Sequence, residues 1–153
     1  MSKFKKYLSS EIGIEFKSSL YFFAILFFYS VYRIWKGSFY ANIIIMAEMI
    51  SATYIMGYIQ VFLLGNFDEA EQLTWREILA SVFCSIVYSS ISFFGKWYDR
   101  NITVTVLFFC YILFCYICVF FVYKVKRDVD TAVLNQELEN FKKKSNRSDR
   151  NMN

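Results

Sequence analysis

One ionisable residue, Glu48, stands inside a long apolar stretch, and it is the side chain best placed to do chemistry. It is the only charge between residues 37 and 67. A charge at the centre of a membrane helix costs about 2.5–3.5 kcal/mol on insertion scales, so the carboxylate needs a partner or a proton. With a span beginning near Ala41, Glu48 lies about 10 Å below the outer interface at 1.5 Å per residue. Tyr29 and Arg33 end the first span in the same depth band, and Ser89, Ser90 and Ser92 end the third. Two roles fit: a hydrogen-bonded clip between helices, or a proton or cation site facing a cavity. In either role Glu48 is expected to face the bundle and not lipid.

Ser81, Ser85, Ser89 and Ser92 form a second pattern, at spacings that place them on one helix face. Small hydroxyl side chains in such a stripe let a neighbouring helix approach closely, which is their commoner use; lining a polar pore is the sharper one. Cys84, Cys110, Cys115 and Cys118 also fall within spans. Cys115 and Cys118 have redox or zinc-pair spacing, but there is no second pair and no histidine, so buried apolar filler is the expected role. The chain has no histidine at all, which removes Ser-His-Asp, Cys-His and histidine-metal chemistry. No two glycines fall within phosphate-loop spacing. A catalyst is therefore the least supported class, and neither metal nor cofactor is expected.

A charged connector lies between the second and third apolar runs. Asp68, Glu69 and Glu71 make it acidic. A short charge run is ordinarily a solvated connector, and a docking patch for a cytoplasmic partner is the functional alternative. Thr74, Trp75, Arg76 and Glu77 then read as a capping box that opens the third span.

The elements that must position these residues are helices. Of 153 residues 57% are hydrophobic and 22% aromatic, and the charges gather in islands between apolar runs. A crossing helix needs about 20 mostly apolar residues. The runs predict an all-α integral membrane four-helix bundle, residues 18–123, with spans at about 16–35, 41–64, 75–95 and 101–123. The first run is the shortest and reaches full length only if Lys17 and Arg33 snorkel to opposite interfaces. Gly37, Gly65 and Gly95 fall just past the first three spans, and Trp35, Trp75 and Trp97 fall at expected interfaces. Proline is absent, so broken transporter-type helices are not expected.

Residues 1–17 form a basic segment with Phe4, Leu8, Ile12 and Phe16 four apart, which suits a short helix lying on the inner surface. No small-x-small site follows the first span, so a cleaved signal peptide is not expected. Residues 124–153 read as a basic cytoplasmic helix, with Leu134, Leu138 and Phe141 at 4 and 3 spacing, followed by a disordered tail from Ser145. Orientation follows from Lys and Arg. With the N-terminus inside, thirteen lie on the cytoplasmic side and four (Arg33, Lys36, Lys96 and Arg100) outside. Both termini are thus expected in the cytoplasm, at the plasma membrane. The net charge of +4 reports an anionic leaflet, not nucleic acid.

The stretch from Ala41-Asn42-Ile43 through Glu48-Met49-Ile50, then Tyr54, Gly57-Tyr58 and Gln60, resembles a family of small four-span bacterial membrane proteins. So does Phe67-Asp68-Glu69 before Thr74-Trp75-Arg76-Glu77. These proteins have no assigned function and are often encoded beside LytTR-type transcriptional regulators or ABC transporters. The resemblance covers about residues 7–143 and implies a regulatory or accessory protein. Its partner would be a cytoplasmic transcriptional regulator or an ABC transporter subunit. The alternative is a small homo-oligomeric proton-coupled transporter using Glu48, similar in size and span count to the small multidrug exporters. Those keep their glutamate in span one and have almost no tail.

Overall fold

The computed structural model describes residues 3–67, 70 and 72–151, with side chains from 11 to 143 within those ranges. Four helices follow in order: α1 Lys3–Trp35, α2 Ile43–Tyr58, α3 Trp75–Phe94 and α4 Ile102–Asn151. A five-residue π-helical turn, Ile59–Leu63, extends α2. All four are long and apolar enough to cross a membrane.

Their ends are set by local chemistry. Asn42 caps α2, its side-chain oxygen accepting from the Ile44 N–H at 2.9 Å. Asn101 does the same for α4, accepting from Thr103 N–H at 3.0 Å and Val104 N–H at 3.3 Å. At the start of α3 the Glu77 carboxylate reaches back to the Thr74 N–H at 3.1 Å and also meets the Thr74 hydroxyl. Gly37 and Gly65 end the first two spans with left-handed φ of 72° and 68°, which a side chain would resist.

The helices run alternately up and down. Glu11 meets Tyr54 on α2, Ser18 meets the Thr53 carbonyl, and Tyr29 meets Asn42, so α1 and α2 are antiparallel. Phe28 packs on Phe108 and Tyr111, and Tyr21 on Tyr116, which lays α4 antiparallel along α1. α3 packs along α4, while α2 touches α3 only sparsely. The buried face of each helix repeats at three or four residues: Tyr21, Ile25, Tyr29 and Tyr32 on α1; Phe108, Ile112, Tyr116 and Phe120 on α4. Outward positions are apolar as well, among them Phe23, Phe27, Ile55, Phe83 and Phe114. A soluble bundle does not expose such a surface, and a lipid-facing one does.

Several expectations change. α1 runs from Lys3 through Gly13 and Lys17 to Trp35 without a break, so residues 3–15 belong to the same helix as the first span. Lys17 does not snorkel. It is 1% exposed, donates to the Asn66 side chain, and lies 5.5 Å above the Tyr123 ring. Protein groups at that end of the bundle take the place of interfacial water. Trp97, expected at an interface, lies between two spans and is buried within the protein, where the α3–α4 turn folds it inward beside Phe108. Past Ser145, where composition predicts disorder, the backbone of α4 is helical to Asn151.

Candidate functional site

Glu48 stands in the second turn of α2, on the side facing α3. Its Oε2 accepts a hydrogen bond from the indole N–H of Trp97 at 3.0 Å. Among the described residues no other hydrogen bond or ion pair reaches this carboxylate, and the residue is exposed. It borders an open groove of about 770 Å³ between α2 and α3, whose walls include Ile44, Ala47, Ile55, Ile86 and Phe94. Glu48 thus meets the buried Trp97 through one carboxylate oxygen, while the exposed residue lines the groove.

Trp97 is held firmly. Lys96, Asp99 and Arg100 all adopt left-handed φ, of 57°, 51° and 54°, which winds the α3–α4 turn tightly enough to bury Trp97 and Tyr98. The turn is tied to the α1–α2 end through Asp99, which accepts from the Tyr32 hydroxyl at 2.8 Å and pairs with Lys36 at 3.7 Å. Tyr98 has no hydrogen-bond partner for its hydroxyl among the described residues, and burial pushes its pKa well above the ordinary tyrosine value.

Gly95 completes the arrangement. Its φ of −70° is ordinary, so its role is space. A Cβ there would sit 2.7 Å from the Trp97 indole nitrogen, 2.8 Å from Glu48 Oε2 and 3.0 Å from the Ile91 carbonyl. Only glycine lets the indole and carboxylate meet over the end of α3.

The other predicted polar residues are not gathered here. Tyr29 accepts from the Asn42 N–H at 3.4 Å. Arg33 closes the α1–α2 turn, donating to the Tyr40 carbonyl at 3.1 Å and the Ser38 hydroxyl at 2.6 Å. Of the residues expected at this depth, only Ser90 shares the groove with Glu48. Neither the spacing nor the composition pointed to Trp97, because the pairing depends on the fold of a turn. Its only trace in the sequence is a tryptophan two residues after a helix-ending glycine.

All four stripe serines are buried, and each hydroxyl donates back to its own helix: Ser81 to Ile78, Ser85 to Ser81, Ser89 to Ser85 and Ser92 to Ser89, each at 2.8 Å. Each hydroxyl hydrogen is thus donated within α3, which suits close packing of a neighbouring helix. The cysteines are free, and no cluster of metal-ligating side chains occurs among the described residues.

At the opposite end of the bundle, Asn66 receives Lys17, and Arg127 of α4 donates to the Ala70 carbonyl at 2.7 Å. The connector is thus tied to α1 and α4. Asp68, Glu69 and Glu71, read as a solvated connector with a docking patch as the alternative, lie outside the described residues. Beyond Arg127 α4 leaves the bundle, and every side chain from 128 to 143 is exposed, Leu134, Leu138 and Phe141 included. Among known proteins, no family model, no curated protein and no solved structure matches the chain.

Proposed function

We propose that this chain is a membrane-anchored regulatory or accessory protein of the plasma membrane, with both termini in the cytoplasm. Its α2–α3 connector and the free part of α4 engage a cytoplasmic regulator or transporter component. The carrying observation is the departure of α4 from the bundle. From residue 128 to 151 the helix continues for about 36 Å, at 1.5 Å per residue, with no described side chain packed on the rest of the chain. Most helical stability in proteins comes from packing an amphipathic face, and this stretch packs on nothing else in the described chain. The Lys143–Glu139 pair at 2.8 Å is exposed and adds only a few tenths of a kcal/mol. Exposed Leu134, Leu138 and Phe141 are the kind of anchors that a partner's groove accepts. The basic bias of the termini and the resemblance noted above support the cytoplasmic placement.

Purification from native membranes in mild detergent tests this reading. The wild-type protein should bring down a regulator or transporter component, and the double substitution Leu138→Asp, Phe141→Asp should lose at least 90% of it while the bundle stays intact. Recovery of no such partner with the wild type, or equal recovery with the variant, sinks the proposal.

A second reading is favoured by Glu48: a small oligomeric proton-coupled transporter in which the groove carboxylate alternates between proton and cargo. Vesicles with an imposed pH gradient would then take up a cationic dye, and Glu48→Gln would abolish the uptake. Equal uptake by both proteins would end that reading.

A further inference from the structure

The groove between α2 and α3 has the chemistry of a site for a particular class of molecule. We propose that it binds hydrophobic monocations drawn from the bilayer, with Glu48 as counter-charge and Trp97 as the residue that positions it. The proposal names a ligand class for the Glu48 reading above and rests on that reading only for transport; binding stands by itself.

Three features select this occupant. Glu48 is the single formally charged residue lining the groove, so a cation is complementary and an anion is excluded. Only one carboxylate oxygen is engaged, at 3.0 Å by the Trp97 indole, so the other edge is open to a ligand. The walls are otherwise apolar or hydroxyl-bearing, and the hydroxyl hydrogens are already donated: Ser51 to the Ala47 carbonyl at 2.9 Å and Ser90 to the Ile86 carbonyl at 2.8 Å. A bare metal ion, needing six or more oxygen ligands in the case of calcium, finds too few here. A cation that carries its own apolar shell needs only the opposite charge and the walls. At about 770 Å³ the groove lies within the range of small-molecule sites, and it is open on one side.

The site is also built in advance. Trp97 is 1% exposed and packs edge-on to Phe108 at 6.4 Å, and Gly95 provides the space in which indole and carboxylate meet. The positioned indole is itself the reporter.

The experiment uses full-length protein in phosphatidylcholine nanodiscs, with Trp35→Phe and Trp75→Phe leaving Trp97 as the only tryptophan. Tetraphenylphosphonium is titrated against Trp97 emission, with tetraphenylborate as a probe of the same shape and opposite charge. Saturable binding of the cation alone is expected, weakened at least tenfold by Glu48→Gln, whose side chain can still accept from the indole. Ser51→Phe, which fills the groove away from the carboxylate, should abolish binding without changing the starting spectrum, and it serves if Glu48→Gln does not fold. The proposal is overturned by an absent or non-saturating response, as when lipid or a second copy occupies the groove. An equal response to tetraphenylborate overturns it too, as does less than a tenfold loss in folded Glu48→Gln, or wild-type binding by Ser51→Phe. If binding is as expected but vesicles show no proton-driven uptake, the transport reading fails and the site remains.

Discussion

Glu48, Trp97 and Gly95 show how a single residue's meaning depends on its neighbours in space. A carboxylate within an apolar run was legible in the sequence as a costly and therefore informative feature. Its partner was not, because the Trp97 indole reaches it only after three residues in left-handed φ wind the α3–α4 turn inward. Gly95 was legible as a helix end, but its reason is close approach and not backbone freedom, since its φ is −70°. Gly95→Ala should therefore push Glu48 and Trp97 apart, costing about 1–3 kcal/mol as overpacking does. Trp97 emission should shift red as the indole loses its acceptor and buried setting. Unchanged emission and unchanged thermal unfolding would contradict this account of the glycine. Lys17 carries the same lesson: its charge suggested the interface, and its burial over Tyr123 depends on α4 arriving alongside α1.

At the scale of elements, the helices were readable because apolar runs, capping residues and glycines act locally. Thr74 to Glu77 opened α3 as the spacing predicted. What local signals could not convey is how closely the helices approach. Gly57 of α2 lies against α1, where an added Cβ would sit 2.6 Å from the Ser18 hydroxyl and 3.3 Å from the Ile14 side chain. Below that contact, Tyr54 and Tyr58 donate to Glu11. Their spacing of four residues, placing both rings on one face, was the available hint. Gly57→Leu should separate α1 from α2, break both tyrosine bonds to Glu11, and destabilise the bundle by about 1–3 kcal/mol. Reversible unfolding in mixed micelles measures it, and a change below about 0.5 kcal/mol, the range of neutral surface substitutions, would argue against close packing there. The serine stripe on α3 packs in the same sense, its hydroxyls turned back onto its own carbonyls.

For the whole molecule, the account rests on four crossings that leave both ends on one side, so that α4 can extend from the bundle into the cytoplasm. The four long apolar helices and their alternating directions carry the crossings; the asymmetry of Lys and Arg carries the proposed orientation. Accessibility of single cysteines in intact cells reads both together. In a background with Cys84, Cys110, Cys115 and Cys118 replaced by alanine, Ser38→Cys and Asn140→Cys place one thiol beyond the first crossing and one on the free part of α4. A membrane-impermeant maleimide added to intact cells should label the first and leave the second untouched until the cells are permeabilised. Labelling of Asn140→Cys from outside would contradict the account, since α4 could then hold no cytoplasmic partner.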